Sequence, residues 1–171
     1  MFTDDCNDID SFIALPQKQL RGLAPHFEEA RGGLFQSRWP VELIGGGTLQ
    51  AELCMTVYPD GNRISIAAIY RRKSFYRLDV VPDDERKPNP VFCSDLGCTP
   101  FVAGVHVHEW RINRAHCEIN GFESLPCRAE IQLGSHNTLR RAVCRTCDDL
   151  NIIAAPEQLD LTYPEQPRLL H

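Results

Sequence analysis

The chain has 171 residues, 43% of them hydrophobic and 24% charged, with a formal net charge of −5. That composition suits one domain spanning 1–171 with a sizeable core. The acidic balance excludes a protein that coats nucleic acid by bulk charge, and leaves nucleic acid only a local basic patch. No run reaches the ~18 apolar residues of a membrane span. Met1-Phe2-Thr3-Asp4-Asp5-Cys6 lacks the basic and apolar regions of a signal peptide, so the expected location is the cytoplasm, without membrane contact. Eight cysteines are many, and in that compartment reduced thiols or a metal site are expected before disulfides.

In chain order, Thr3 reads as the cap of a first helix, with Asp4 and Asp5 at its positive end, Phe2, Cys6, Ile9 and Ile13 following helical spacing and Phe12 beside them. Pro16 ends it. A second short helix is expected from about Pro16 to Ala30, carrying Leu20, Leu23 and Phe27 on one side. The pattern then turns to strands: Leu34 to Ile44, Thr48 to Tyr58, Arg63 to Tyr70 and Ser74 to Val81, divided by short turns. Gly45-Gly46-Gly47 has no Lys-Ser/Thr after it and reads as a turn rather than a phosphate loop. Connections this short force antiparallel pairing.

Pro82 to Pro100 forms a long polar connection of the kind that is functional or disordered. Ala129 to Leu133 alternates like a strand. A last helix runs from about His136 to Asp149, capped by Ser135, with Leu139, Val143, Cys147 and Leu150 on its stripe. The core then spans about 3–152, and 153–171, with Pro156, Pro164 and Pro167, is an extended tail. The fold class expected is α+β: an antiparallel meander sheet of about five or six strands, with the N- and C-terminal helices packed on one face.

Gly104-Val105-His106-Val107-His108-Glu109-Trp110 carries the candidate chemistry. On a strand, His106, His108 and Trp110 share one side and Val105 and Val107 the other. With the valines inward, the histidines face outward, either as plain surface residues or as a site for metal, proton or phosphate. Arg77 and Asp79 join them as candidate catalytic residues, although a simple ion pair on the wet face also explains that pair. Cys93, Cys98, His106 and His108 together are a tetrahedral zinc set by ligand type. Zinc is thus the one cofactor these residues could take, and none is otherwise expected. Cys144-x-x-Cys147 falls inside a helix, where Cys147 reads as a core residue.

Arg77-Leu78-Asp79, Asn89-Pro90, Gly104-x-His106-x-His108 and Cys147-x-x-Leu150-Asn151-Ile152 together resemble a family of small prokaryotic proteins of unknown function, recurrent in bacterial and mobile-element genomes. The resemblance spans residues 3–152. In that family an aromatic residue directly follows the second histidine, whereas here Glu109 precedes Trp110, and the cysteine-bearing stretch between Asn89 and Gly104 is an addition.

Two functions are expected from this. The first is a binding or accessory protein of a bacterium, phage or mobile element that docks on a host protein or complex, a host defence complex being one such target. Trp110, Arg71, Arg72 and Lys73 would contact that partner. The second is a nuclease-like enzyme in which His106 and His108 act as acid, base or metal ligands and Arg77 holds phosphate, with Asp79 the only acid in the same motif.

Overall fold

The computed structural model describes residues 1–134 and 138–164. Helix α1 (Thr3–Ala14) buries Cys6, Ile9 and Phe12, the stripe that its 3.6-residue period dictates. Phe2, not Thr3, is its N-cap, and no side chain caps it. No helix follows. Residues 16–30 hold instead two short strands, β1 (Lys18–Leu20) and β2 (Glu28–Glu29), because Pro16, Gly22 and Pro25 interrupt what the leucine spacing suggests.

The meander forms as its alternation requires. Strands β3 (Phe35–Leu43), β4 (Gly47–Val57), β5 (Ile64–Tyr70) and β6 (Lys73–Val80) pair sequentially and antiparallel. Leu53, Met55 and Val57 of β4 and Ile64, Ile66 and Ala68 of β5 fill the core, while the residues between them point to the second face. A register irregularity between Ala68 and Ile69 accompanies the burial of two consecutive residues, Phe75 and Tyr76, on β6.

Strands β7 (Arg86–Pro88) and β8 (Phe101–Ala103) form a separate two-stranded ribbon in the long connection, around a 3₁₀ turn at Val91–Leu96. Then come β9 (His106–His108), helix α2 (Trp110–Asn120), β10 (Ala129–Glu130), helix α3 (Thr138–Asp149) and β11 (Ile152–Ile153). Ser135 and His136, expected to open α3, lie outside the described residues, as does Pro167. The α3 stripe of Leu139, Val143 and Cys147 is buried as expected, with Leu150 beyond it.

The α+β class holds, but the sheet has nine strands rather than five or six. Its path is β10-β9-β6-β5-β4-β3-β1-β11, with β2 attached to β3. The extra strands are two or three residues long, too short to show a period. One pair is parallel: β11 lies along β1. The segment beyond residue 152 is tied down too, since the buried Gln158 donates hydrogen bonds to the carbonyls of Leu20 and Gly22. Among the described residues no helix is long and apolar enough to cross a membrane.

Lys18 is buried, and its Nζ donates to the carbonyls of Phe12, Ile13 and Leu15 at 2.6–3.0 Å. These are C-terminal carbonyls of α1, which a helix leaves without intrahelical partners.

Candidate metal centre

Strand β9 lies beside β6 with Asp79 opposite His106, Leu78 opposite Val107 and Arg77 opposite His108. Ser65 of β5 lies opposite Asp79. Period two therefore puts Ser65, Arg77, Asp79, His106 and His108 on one face and Ile66, Leu78 and Val107 in the core on the other.

The expected parity is correct for the histidines, but the expected exposure is not: His106 is 2% and His108 0% exposed. The reason is a roof that strand periodicity does not reveal. The Gly104 carbonyl accepts from His106 Nδ1 at 2.9 Å, and the Leu125 carbonyl accepts from His108 Nδ1. Gly104 adopts φ +61, and a Cβ there would come within 2.7 Å of the Asp83 carboxylate, so glycine suits this position on both counts. Trp110 leaves the histidine side, because α2 starts there and the alternation stops. It is buried against Phe75 and Phe122, its indole donating to Asp10 at 2.7 Å.

A carbonyl only accepts, so each histidine carries its hydrogen on Nδ1 and turns Nε2 toward Asp79. His106 Nε2 lies 3.5 Å and His108 Nε2 3.3 Å from Asp79 Oδ2. Ligand atoms of the three residues all fall within 4.8 Å of one another. Two imidazoles and a carboxylate in this arrangement could hold a metal ion. Backbone carbonyls on the far nitrogens are what orients imidazole ligands in metal sites.

Arg77 completes the inner group, donating to Asp79 Oδ2 and to His108 Nε2, each at 2.9 Å, while the Ser65 hydroxyl donates to Asp79 Oδ1 at 2.7 Å. Burial pushes His108 below its ordinary pKa; Asp79 pulls it back only in part, and Arg77 adds to the lowering. Burial alone would raise the Asp79 carboxyl, but the Arg77 charge and the Ser65 hydroxyl, joined by either imidazole whenever its Nε2 carries a proton, outweigh it and hold Asp79 well below the usual carboxylate range. A neutral imidazole and an ionised carboxylate are the forms that bind metal.

The group opens on a cavity of about 420 Å³, whose wall includes Asp79 and His106. Four cations line it, Arg63, Arg77, Lys87 and Arg128, against Asp79 and Glu85, a net charge of +2 before the histidine is counted. Glu85 pairs with both Arg63 and Lys87. Arg128 is half-buried, and its Nη1 donates to the carbonyls of Pro88 and Pro126; among the described residues none of its hydrogen-bond partners is a carboxylate, although it feels the Asp79 charge. Two asparagine side chains fix it by mimicking backbone. Asn89 accepts from the Arg128 amide and donates to its carbonyl, and Asn113 does the same at Cys127. Asn113 and Arg128 carry no signal in the sequence, Ser65 has only the alternation that turns it away from Ile64 and Ile66, and the clamping role of Asn89 is a tertiary fact.

The cysteines do not join the histidines. Cys93 forms a disulfide with Cys127, in a small separate core with Ile112 against which Cys98 packs. Cys93 thus offers no thiolate to zinc, and the preference for reduced thiols fails at this pair, which only the folded chain brings together. Cys144 and Cys147 are free, and burial pushes the Cys147 thiol up to about 12. Of the expected partner-binding cations, Arg71 pairs with Asp8 and Lys73 with Asp5; Arg72 is exposed on the β5–β6 turn with φ +68. Asp10 pairs with Arg114. No known family, curated protein or solved structure matches the chain.

Proposed function

We propose that Asp79, His106 and His108 hold a divalent metal ion and that the protein is a metal-dependent hydrolase of phosphodiesters. The observation that carries this reading is the convergence of two Nε2 atoms and one carboxylate oxygen whose orientation is fixed by backbone carbonyls on both Nδ1 atoms. Without a proton or a cation between them, the His106 lone pair faces a carboxylate lone pair. Three protein ligands of N, N and O type leave coordination positions open, as catalytic zinc and related sites do. A divalent ion there would acidify bound water and polarise a phosphoryl oxygen.

The chain's own residues supply the rest. Arg77 releases its contact with His108 when a cation takes Nε2; its side chain is 40% exposed and can turn into the cavity to grip a phosphate oxygen. Arg128, already clamped, adds a second guanidinium. Ser65 holds the non-ligating oxygen of Asp79 and so fixes the carboxylate. A role in docking on a partner protein would draw on the acidic run of α1 and the basic turn at 71–73, but Asp5, Asp8, Asp10, Arg71 and Lys73 pair within the molecule.

Chelator-stripped protein should hydrolyse bis(p-nitrophenyl) phosphate only after a divalent metal is restored, with Zn²⁺ and Mn²⁺ tried first. His106→Ala should lower the turnover by about a hundredfold or more. Turnover that persists in chelator, or none with any divalent metal, overturns the reading.

A further inference from the structure

A second cavity, of about 540 Å³, shares the walls of Arg77 and Arg128 with the first. It is lined further by Pro88, Pro90, Leu125 and Pro126 and by the polar Asn89, Ser124 and Glu123, so that one carboxylate faces the two arginines there. The two arginines thus stand between two hollows, each within the size range of a pocket for one small ligand. We infer that the ligand is a single-stranded nucleic acid, laid across both cavities with a backbone phosphate on the Arg77–Arg128 wall.

Three features select this class. A phosphomonoester or mononucleotide would fill one cavity and leave the other without a role, whereas a chain places successive nucleotides on the two sides of the arginines. Tyr58, 38% exposed at the rim of the first cavity, offers a ring on which a base can stack, and the three prolines give the second cavity apolar walls for another. Stacking platforms beside a cationic track are how single strands are held without sequence readout. A duplex keeps its bases stacked inside and has none to insert into such hollows. The cations are local, within a chain of net charge −5, so binding belongs to this face alone.

The inference rests on the hydrolase reading only for the phosphate's being placed beside Asp79 and His106; strand binding can be measured without metal. Fluorescence anisotropy in chelator, on the full chain at low salt, would use labelled oligothymidylate and oligouridylate of about ten nucleotides, within the usual range of site sizes. Both should bind, at least about tenfold tighter than thymidine monophosphate or a hairpin duplex of equal length competes. Tyr58→Ala, on the exposed rim where folding is not at stake, should weaken binding about fivefold or more, and Arg128→Gln likewise.

Equal competition by the mononucleotide, by the duplex or by oligoglutamate overturns the inference, as does binding indifferent to Tyr58→Ala. If strand binding fails while metal-dependent hydrolysis of the small diester persists, the substrate class falls and the metal site stands. If strands bind and no metal does, the hydrolase reading falls alone.

Discussion

Asp79 sits 16% exposed beneath Arg77 and accepts from Ser65, in contact with two imidazoles. Its native pKa is depressed, so by linkage it contributes stability that is present above the unfolded carboxyl value of about 3.9 and is lost as pH falls further. Metal-free wild-type protein should therefore lose thermal stability between about pH 5 and pH 2 more steeply than Asp79→Asn does. Parallel melting curves for the two would discredit the hydrogen-bonded carboxylate described here. At this scale the sequence was informative in parity and silent in depth. Alternation assigned His106 and His108 to the face opposite Val107, but whether that face is wet depends on the Gly104 and Leu125 carbonyls, and Leu125 lies 17 residues away.

The roof over β9 is the element that sequence periodicity could not supply. It has almost no regular structure: a two-stranded ribbon, a 3₁₀ turn and the loop after α2. Polar side chains acting as backbone and one disulfide across 34 residues hold it instead. Replacing Cys93 and Cys127 together by Ala should cost about 4 kcal/mol, the loop-closure value for such a span, read by urea unfolding. A change below about 1 kcal/mol would mean that the bridge does not constrain this region. The long strands β3 to β6 were legible because each runs seven to eleven residues with one face in the core. By contrast β1 was hidden by its helix-like leucine spacing, and a buried lysine capping α1 has no sequence signature.

Across the whole molecule, the sheet brings the site together from the β5–β6 hairpin and the more distant β9, while helices α1 and α3 close the core on the opposite face with Ile9, Phe12, Leu139 and Val143. The parallel β1–β11 pair and the Gln158 anchor tie the C-terminal segment to the residues after α1. Losing that anchor by Gln158→Ala removes three hydrogen bonds, those it donates to the Leu20 and Gly22 carbonyls and the one it accepts from the Ala155 amide, and should cost about 1–3 kcal/mol, without affecting metal affinity. A loss of metal binding in that variant would show that the site depends on the far edge of the sheet. The Asp79–His106–His108 group is the centre of the proposed chemistry. Calorimetric titration of chelator-stripped protein with Zn²⁺ or Mn²⁺ should give about one equivalent in the wild type, and no saturable binding in a folded His106→Ala or Asp79→Asn variant. Absence of binding in the wild type, or one equivalent retained in both variants, would contradict it.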